Sequence, residues 1–259
     1  MLEIATWNVN SINARLPNVL EWLGEARPDV VLLQEIKCVD DAFPRQAFEA
    51  LGYAAAVHGQ KSYNGVAILS LLPIGEVRRG LPEGAGDDHA RYLEATVGPV
   101  RVASIYLPNG NPVGGDRFVY KLAWMERLRA HTAALLEGDV PLVLGGDYNV
   151  IPEPIDCHDP KAWEGDALFR PESRRAFRAL SNLGLYDAFR TLHPDEPGQY
   201  SFWDYQGGAW QLDHGIRIDH LLLCSRAVDR LAACTIDKRP RGRPKASDHT
   251  PVIVALDLG

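Results

Sequence analysis

Pro141-Leu142-Val143-Leu144-Gly145-Gly146-Asp147-Tyr148-Asn149 is the stretch on which the reading of this chain turns. A short apolar run bounded by proline and glycine reads as a buried strand, and here it opens onto a small polar cluster. If the segment stays extended, the spacing of Asp147 and Asn149 directs both side chains to one side. The double glycine allows another backbone, or a phosphate, to come close. An Asx-rich turn after a strand would use the same residues, so the stretch needs company before it implies chemistry.

The company is present. Val30-Val31-Leu32-Leu33 runs into Gln34-Glu35, and the alternating segment 2–9 carries Thr6-Trp7-Asn8. Ser247-Asp248-His249 stands just before an apolar run at 251–256. Strand ends that converge on one edge of a core bring a carboxylate, an amide and an imidazole into one pocket, which is what a metal-assisted hydrolase needs. Parallel neighbouring strands would set Asn8 beside Glu35, and their oxygens are hard ligands suited to magnesium or manganese. His249 suits donation to a phosphoryl oxygen if a carboxylate holds its ring. Asp219 is the candidate, because an acid in the apolar run 218–223 is costly unless paired. Alternation points His220 to the other face. Tyr106 closes the strand 100–106 and is either a buried aromatic with a polar tip or a phenol that reaches a phosphate.

Between these clusters the spacing predicts helices at 15–26, 43–51, 116–136 and 173–183, and a Pro-rich loop at 151–163. Further strands are expected at 65–70, 92–97 and 199–203, with Gly98-Pro99 as a hairpin turn. Short strands joined by both hairpins and helices predict two packed sheets with helices outside, not a purely parallel doubly wound sheet. No repeat or low-complexity linker divides the chain, so one domain over 1–259 is expected.

Apolar residues make up 46% and charged residues 24%, the balance of a globular protein. A formal net charge of −7 disfavours a generally basic nucleic-acid binder but permits a local basic face. The cysteines Cys38, Cys157, Cys224 and Cys234 are scattered and read as reduced thiols; Cys157-His158 lacks further ligands at zinc-site spacing. No signal-peptide pattern and no bilayer-length apolar run is apparent, so a cytoplasmic protein without membrane association is expected.

With these pieces assembled, the chain resembles the exonuclease III family of DNA repair nucleases, which includes AP endonucleases. The matching pieces are 4–10, Leu33-Gln34-Glu35-Ile36-Lys37, 63–70, Tyr106-Leu107-Pro108-Asn109-Gly110, 145–150, Arg217-Ile218-Asp219-His220 and 247–251, in family order along the chain. The resemblance implies a four-layer α/β sandwich, two mixed β-sheets flanked by helices. It implies a magnesium ion, with manganese as a substitute, held mainly by Glu35 within a set of Asn8, Glu35, Asp147, Asn149, Asp248 and His249. It gives catalytic roles to Tyr106, Asp147, Asn149, Asp219 and His249, and leaves the proton open among Asp147, His249 and Tyr106. It places Lys37, Arg91 and Asn109 on the DNA backbone.

Phe202 and Ile218 are read as walls of a pocket for a base-less sugar, and Trp203 as either pocket wall or core. The implied substrate is double-stranded DNA with abasic sites, nicks or 3′ ends, cleaved 5′ to abasic sites and from 3′ ends by a monomer. The basic run 238–245 departs from the family pattern and is read as a solvated face or as added phosphate contacts. Two alternatives stand beside this reading. One is another phosphodiesterase or phosphatase of the same superfamily, sphingomyelinase-like or inositol-phosphatase-like. The other is a catalytically inactive DNA-binding protein.

Overall fold

Val30–Gln34 is buried on both faces because its strand lies inside one sheet, with a second sheet over one face and helices over the other. In the computed structural model, which describes residues 1–84 and 86–259, two six-stranded sheets stack face to face. The first runs β11 (Leu231–Ile236), β12 (Val252–Leu256), β1 (Leu2–Asn8), β2 (Val30–Gln34), β4 (Val66–Ser70), β3 (Ala54–His58). The second runs β5 (Ile74–Arg79), β6 (Tyr92–Val97), β7 (Val100–Tyr106), β8 (Leu142–Asp147), β10 (Asp219–Cys224), β9 (Leu185–Asp187). Both are mixed: β1 pairs parallel with β2, and β7 parallel with β8, among antiparallel neighbours. Helix α1 (Ile12–Ala26) and the short α2 (Arg45–Glu49) cover the first sheet. The long α3 (Asp116–Leu136) and α5 (Pro171–Ser181) cover the second, giving the expected four layers. Short helices α4 (Pro160–Trp163), α6 (Ala188–Leu192) and α7 (Ser225–Val228) complete the connections. No helix among the described residues is long and apolar enough to cross a membrane.

Alternation along β1 and β2 sorts their side chains. Ile4, Val30 and Leu32 join the core between the sheets, while Ala5, Trp7, Val31 and Leu33 pack under α1 with Trp22 and Phe48. Polar residues on the inner face must then find partners there. Gln34 donates to Thr6 Oγ1 and to Ser104 Oγ of the other sheet, both at 3.0 Å. This buried bridge fixes the distance between the sheets just below the strand ends.

Two expectations change. β8 extends through the glycines to Asp147 because its ladders with β7 and β10 continue to that residue. A Cβ on Gly146 would lie 1.9 Å from the Ile105 carbonyl oxygen, and one on Gly145 would lie 2.6 Å from Leu32 Cδ1. The double glycine thus admits the neighbouring strand and the opposing sheet. Segment 199–203 is not a strand; Phe202 makes only isolated bridges, to Ile216 and His249. Its backbone is shared between two loops, with Trp203 N–H donating to the Asp248 carbonyl at 2.9 Å.

Candidate active site

The register of the sheets assembles the site. Asn8 lies opposite Gln34 in the β1–β2 ladder, so Glu35 begins one residue beyond it. In the other sheet Asp147 pairs with Tyr106 on one side and Asp219 on the other. Asn8 joins the two sheets: its Nδ2 donates to Glu35 Oε1 at 2.9 Å and to Asp147 Oδ2 at 3.0 Å. Glu35 and Asn149 both adopt left-handed backbone, φ 50° and 46°. Such a conformation is unusual for non-glycine residues and is held here by the surrounding hydrogen bonds. Asn149 therefore does not continue the strand. A turn in which its N–H donates to Asp147 Oδ1 at 2.9 Å brings the two side chains together.

His249 Nδ1 donates to Asp219 Oδ2 at 2.8 Å, an assignment of the proton made from the geometry. Asp219 Oδ2 also accepts from Ser201 Oγ at 2.6 Å. The other imidazole nitrogen, Nε2, lies 3.8 Å from Asp147 Oδ2. Burial disfavours charge on His249, but Asp219 and Asp147 outweigh it and its pKa rises. Burial, with Asp219 and Glu35 nearby, pushes the Asp147 carboxyl up, and His249 opposes this. Glu35 is held below the usual carboxylate range; burial acts against that, and Lys37 and Asn8 outweigh it. Burial and the two carboxylates Glu35 and Asp147 push the Tyr106 phenol far up, which keeps it a hydrogen-bond donor.

Glu35, Asp147 and His249 each offer a ligand atom, all within 4.8 Å of one another. An acidic cluster with hard oxygen donors and too few cations fits a divalent ion. The other residues predicted to ligate stand around this group. Asn8 turns its amide nitrogen to both carboxylates, and its oxygen accepts from the Asn10 N–H at 3.0 Å. Asn149 donates to Asp147 and to the Leu107 carbonyl. Asp248 sits at the rim, accepting from Asn10 Nδ2 at 3.1 Å.

A cleft of about 530 Å³ opens from Glu35 and Tyr106 and is lined by Lys37, Arg91, Asn109 and Arg117. Lys37 Nζ rests on Glu35 Oε2 at 2.8 Å. The Arg91 guanidinium lies over the Tyr106 ring, 4.7 Å from its centre. Asn109 Nδ2 donates to Asn149 Oδ1 at 3.2 Å. A second hollow of about 260 Å³ lies against Asp147 and His249, with Phe202, Ile218, Trp163 and Leu168 among its walls. The Phe202 ring meets the His249 ring edge-on at 4.9 Å.

Trp203 does not join them. It is fully buried, donates from Nε1 to Asp213 Oδ1 at 2.9 Å, and packs on Trp210, so no duplex can touch it. The strand pairing expected at 199–203 is absent, and the loop turns this ring inward. The basic run 238–245 is not a free solvated face either. Arg239 pairs with Asp237, Arg243 pairs with Glu25, and Arg241 is buried.

Sequence reasoning did not find Lys121. It is fully buried on α3, and its Nζ donates to the Asn149 carbonyl at 2.6 Å and the Asn109 carbonyl at 2.9 Å. Burial pushes its ammonium down to about 7, against the pull of Asp147 and Asp166. Its only sequence signal was a lysine on the apolar side of a helix. Ser201, Trp163 and Leu168 were also missed, because loops and a single-turn helix such as α4 carry no readable periodicity.

A two-sheet sandwich with a carboxylate-rich cluster at converging strand ends describes a class of metal-assisted hydrolases. The chain belongs to the endonuclease/exonuclease/phosphatase family, which it matches over residues 5–249. It is 33% identical to the exodeoxyribonuclease III of Haemophilus influenzae, covering 97% of this chain and 98% of that protein. Among solved structures, an AP endonuclease from Archaeoglobus fulgidus superposes with a TM-score of 0.96 at 37% identity, covering both chains completely. The 3′ phosphatase NExo from Neisseria, bound to a product DNA hairpin, superposes with a TM-score of 0.97 at 37% identity, again over both full chains.

Proposed function

We propose that this protein is a DNA repair nuclease, a metal-dependent hydrolase of DNA phosphodiesters that acts 5′ to abasic sites and at 3′ ends. The observation that carries the reading is the Asp219–His249–Asp147–Asn8–Glu35 chain of contacts, flanked by a cationic cleft and an apolar hollow. Magnesium is the ion that the hard oxygen donors favour. When bound, it supplies positive charge to the phosphoryl group as negative charge accumulates there.

The protein's own groups do the rest. Asp147, aligned by Asn149 and Asn8, orients and deprotonates the attacking water. His249, kept protonated by Asp219, donates to a phosphoryl oxygen, and the Tyr106 phenol donates beside it. Phe202, Ile218, Trp163 and Leu168 wall a hollow of about 260 Å³ that suits a sugar without its base. That hollow favours abasic duplex over phosphatase substrates lacking a nucleic-acid chain.

The test is cleavage of matched duplexes carrying an abasic site, a recessed 3′ end or a 3′-phosphate, in magnesium and in chelator. Magnesium-dependent incision of the abasic duplex supports the reading. Hydrolysis confined to lipid or inositol phosphate esters would replace it with the superfamily alternative, and no hydrolysis of any of these substrates would favour an inactive binder.

A further inference from the structure

Beyond the reacting centre, across Asn10 and Tyr205, lies a separate cleft of about 410 Å³. Arg15, Arg241, Lys245 and Tyr205 line it, with Arg243 at its side, and no carboxylate does so among the described residues. Arg243 is already answered by Glu25, at 2.7 Å and 2.8 Å. Arg241 is not. It is 8% exposed, donates from Nη2 to the Trp203 carbonyl at 3.0 Å, and lies over the rings of Tyr205 and Trp210, 5.5 Å and 5.4 Å from their centres. Its Nε is buried without a hydrogen-bond partner, and so is Arg15 Nε. Arg15 Nη2 donates to the Tyr205 hydroxyl at 2.9 Å, which fixes the guanidinium at the cleft. A buried guanidinium with an unanswered donor costs free energy unless an anion completes it.

We propose that this cleft binds a phosphate of the nucleic-acid substrate other than the one cleaved, through Arg15, Arg241 and Lys245. The proposal rests on the DNA reading above. Continuity supports it: Asn10 Nδ2 contacts both Asp248 at the site rim and Tyr205 at the cleft. A strand held at the reacting centre therefore has a route to the cleft. The same chemistry serves an internal backbone phosphate or a terminal 5′-phosphate at a nick.

The experiment measures duplex affinity against salt in chelator for the wild type and for the Arg15→Gln/Lys245→Gln protein. The double variant is expected to bind roughly tenfold more weakly, with a salt slope shallower by about one. Arg15→Lys/Lys245→Arg keeps the charges and is expected to restore the slope. Arg239→Gln removes a charge of the same run that faces Asp237 and not the cleft, and is expected to keep the wild-type slope. Nicked duplexes with a 5′-phosphate or a 5′-hydroxyl separate the sources: a loss confined to the phosphorylated nick assigns the terminal group, and an equal loss on both assigns the backbone. An unchanged slope in the double variant, or an equal change in Arg239→Gln, overturns the cleft while leaving the nuclease reading intact. A wild type that neither binds nor cuts DNA overturns that reading itself.

Discussion

Two buried charge clusters sit at opposite sides of β10, and they are built on opposite plans. On one side, Arg217 joins Asp156 at 2.8 Å and Asp187 at 2.7 Å, and Arg190 joins Asp156 at 2.6 Å. Cations and acids balance. Burial raises the pKa of Asp156 and Asp187, but Arg217 outweighs it and both carboxyls are held low. On the other side, the direct ion pairs of Glu35, Asp147, Asp219 and Asp248 among the described residues are with His249 and Lys37 alone. There burial and like charges raise Asp147 instead. Arg217, Asp219 and His220 are near neighbours in sequence, yet Asp219 faces the reacting centre while Arg217 and His220 turn to the balanced cluster. The contrast separates charge that holds a fold together from charge kept out of balance for a ligand.

The sharpest way to break this contrast is to neutralise one charged side chain on each side. Asp147→Asn is expected to lower the rate of abasic-site cleavage by a factor of about 10³ to 10⁴, with a melting temperature no lower than wild type. Arg217→Met takes the arginine from Asp187 and leaves Asp156 to Arg190 alone, and is expected to cost about 3–5 kcal/mol of stability in denaturant unfolding. If the two variants exchanged these phenotypes, the assignment of the clusters would be reversed.

Lys121→Met tests how far positioning reaches beyond groups that touch the substrate. It leaves the Asn109 and Asn149 carbonyls without their donor. A fall of about tenfold to a hundredfold in kcat is expected, larger than any change in KM.

The smallest effect is the pH dependence of the balanced cluster. Carboxyls with a folded pKa below the unfolded value of about 4 add stability that is fully present above that pH and is lost as pH falls from it through the folded pKa. Thermal melting between about pH 5 and pH 2 is expected to drop steeply for the wild type and less for Arg217→Met. Parallel curves would show that the pairing contributes little.

The strand ends were legible because each joins a buried run to a polar cluster, and register then does the assembling. The α3 helix was legible at both ends, over Asp116–Leu136, from its apolar spacing and the glycine that follows. β3, β5, β9 and β11 were not anticipated. β5 is largely exposed, and an edge strand has only one partner to impose a pattern on it. Trp203 had two readings in sequence, and burial decided for the core. The turn at Asn149 replaced the extended geometry expected there, yet the two side chains still meet, because a left-handed residue and an Asx contact reach the same place as an extended strand would. Lys121 was invisible because its partners are backbone carbonyls brought together only by the fold.

If the carboxylates at the strand ends are a metal-dependent nuclease centre, catalysis must depend on both the ion and Glu35. The most direct test is the magnesium dependence of abasic-duplex incision by the wild type and by Glu35→Gln, measured side by side. Saturable, chelator-sensitive incision is expected of the wild type, and a loss of about 10² or more in Glu35→Gln at the same magnesium concentration. Full-rate incision by Glu35→Gln, or incision by the wild type that persists in chelator, would contradict that dependence.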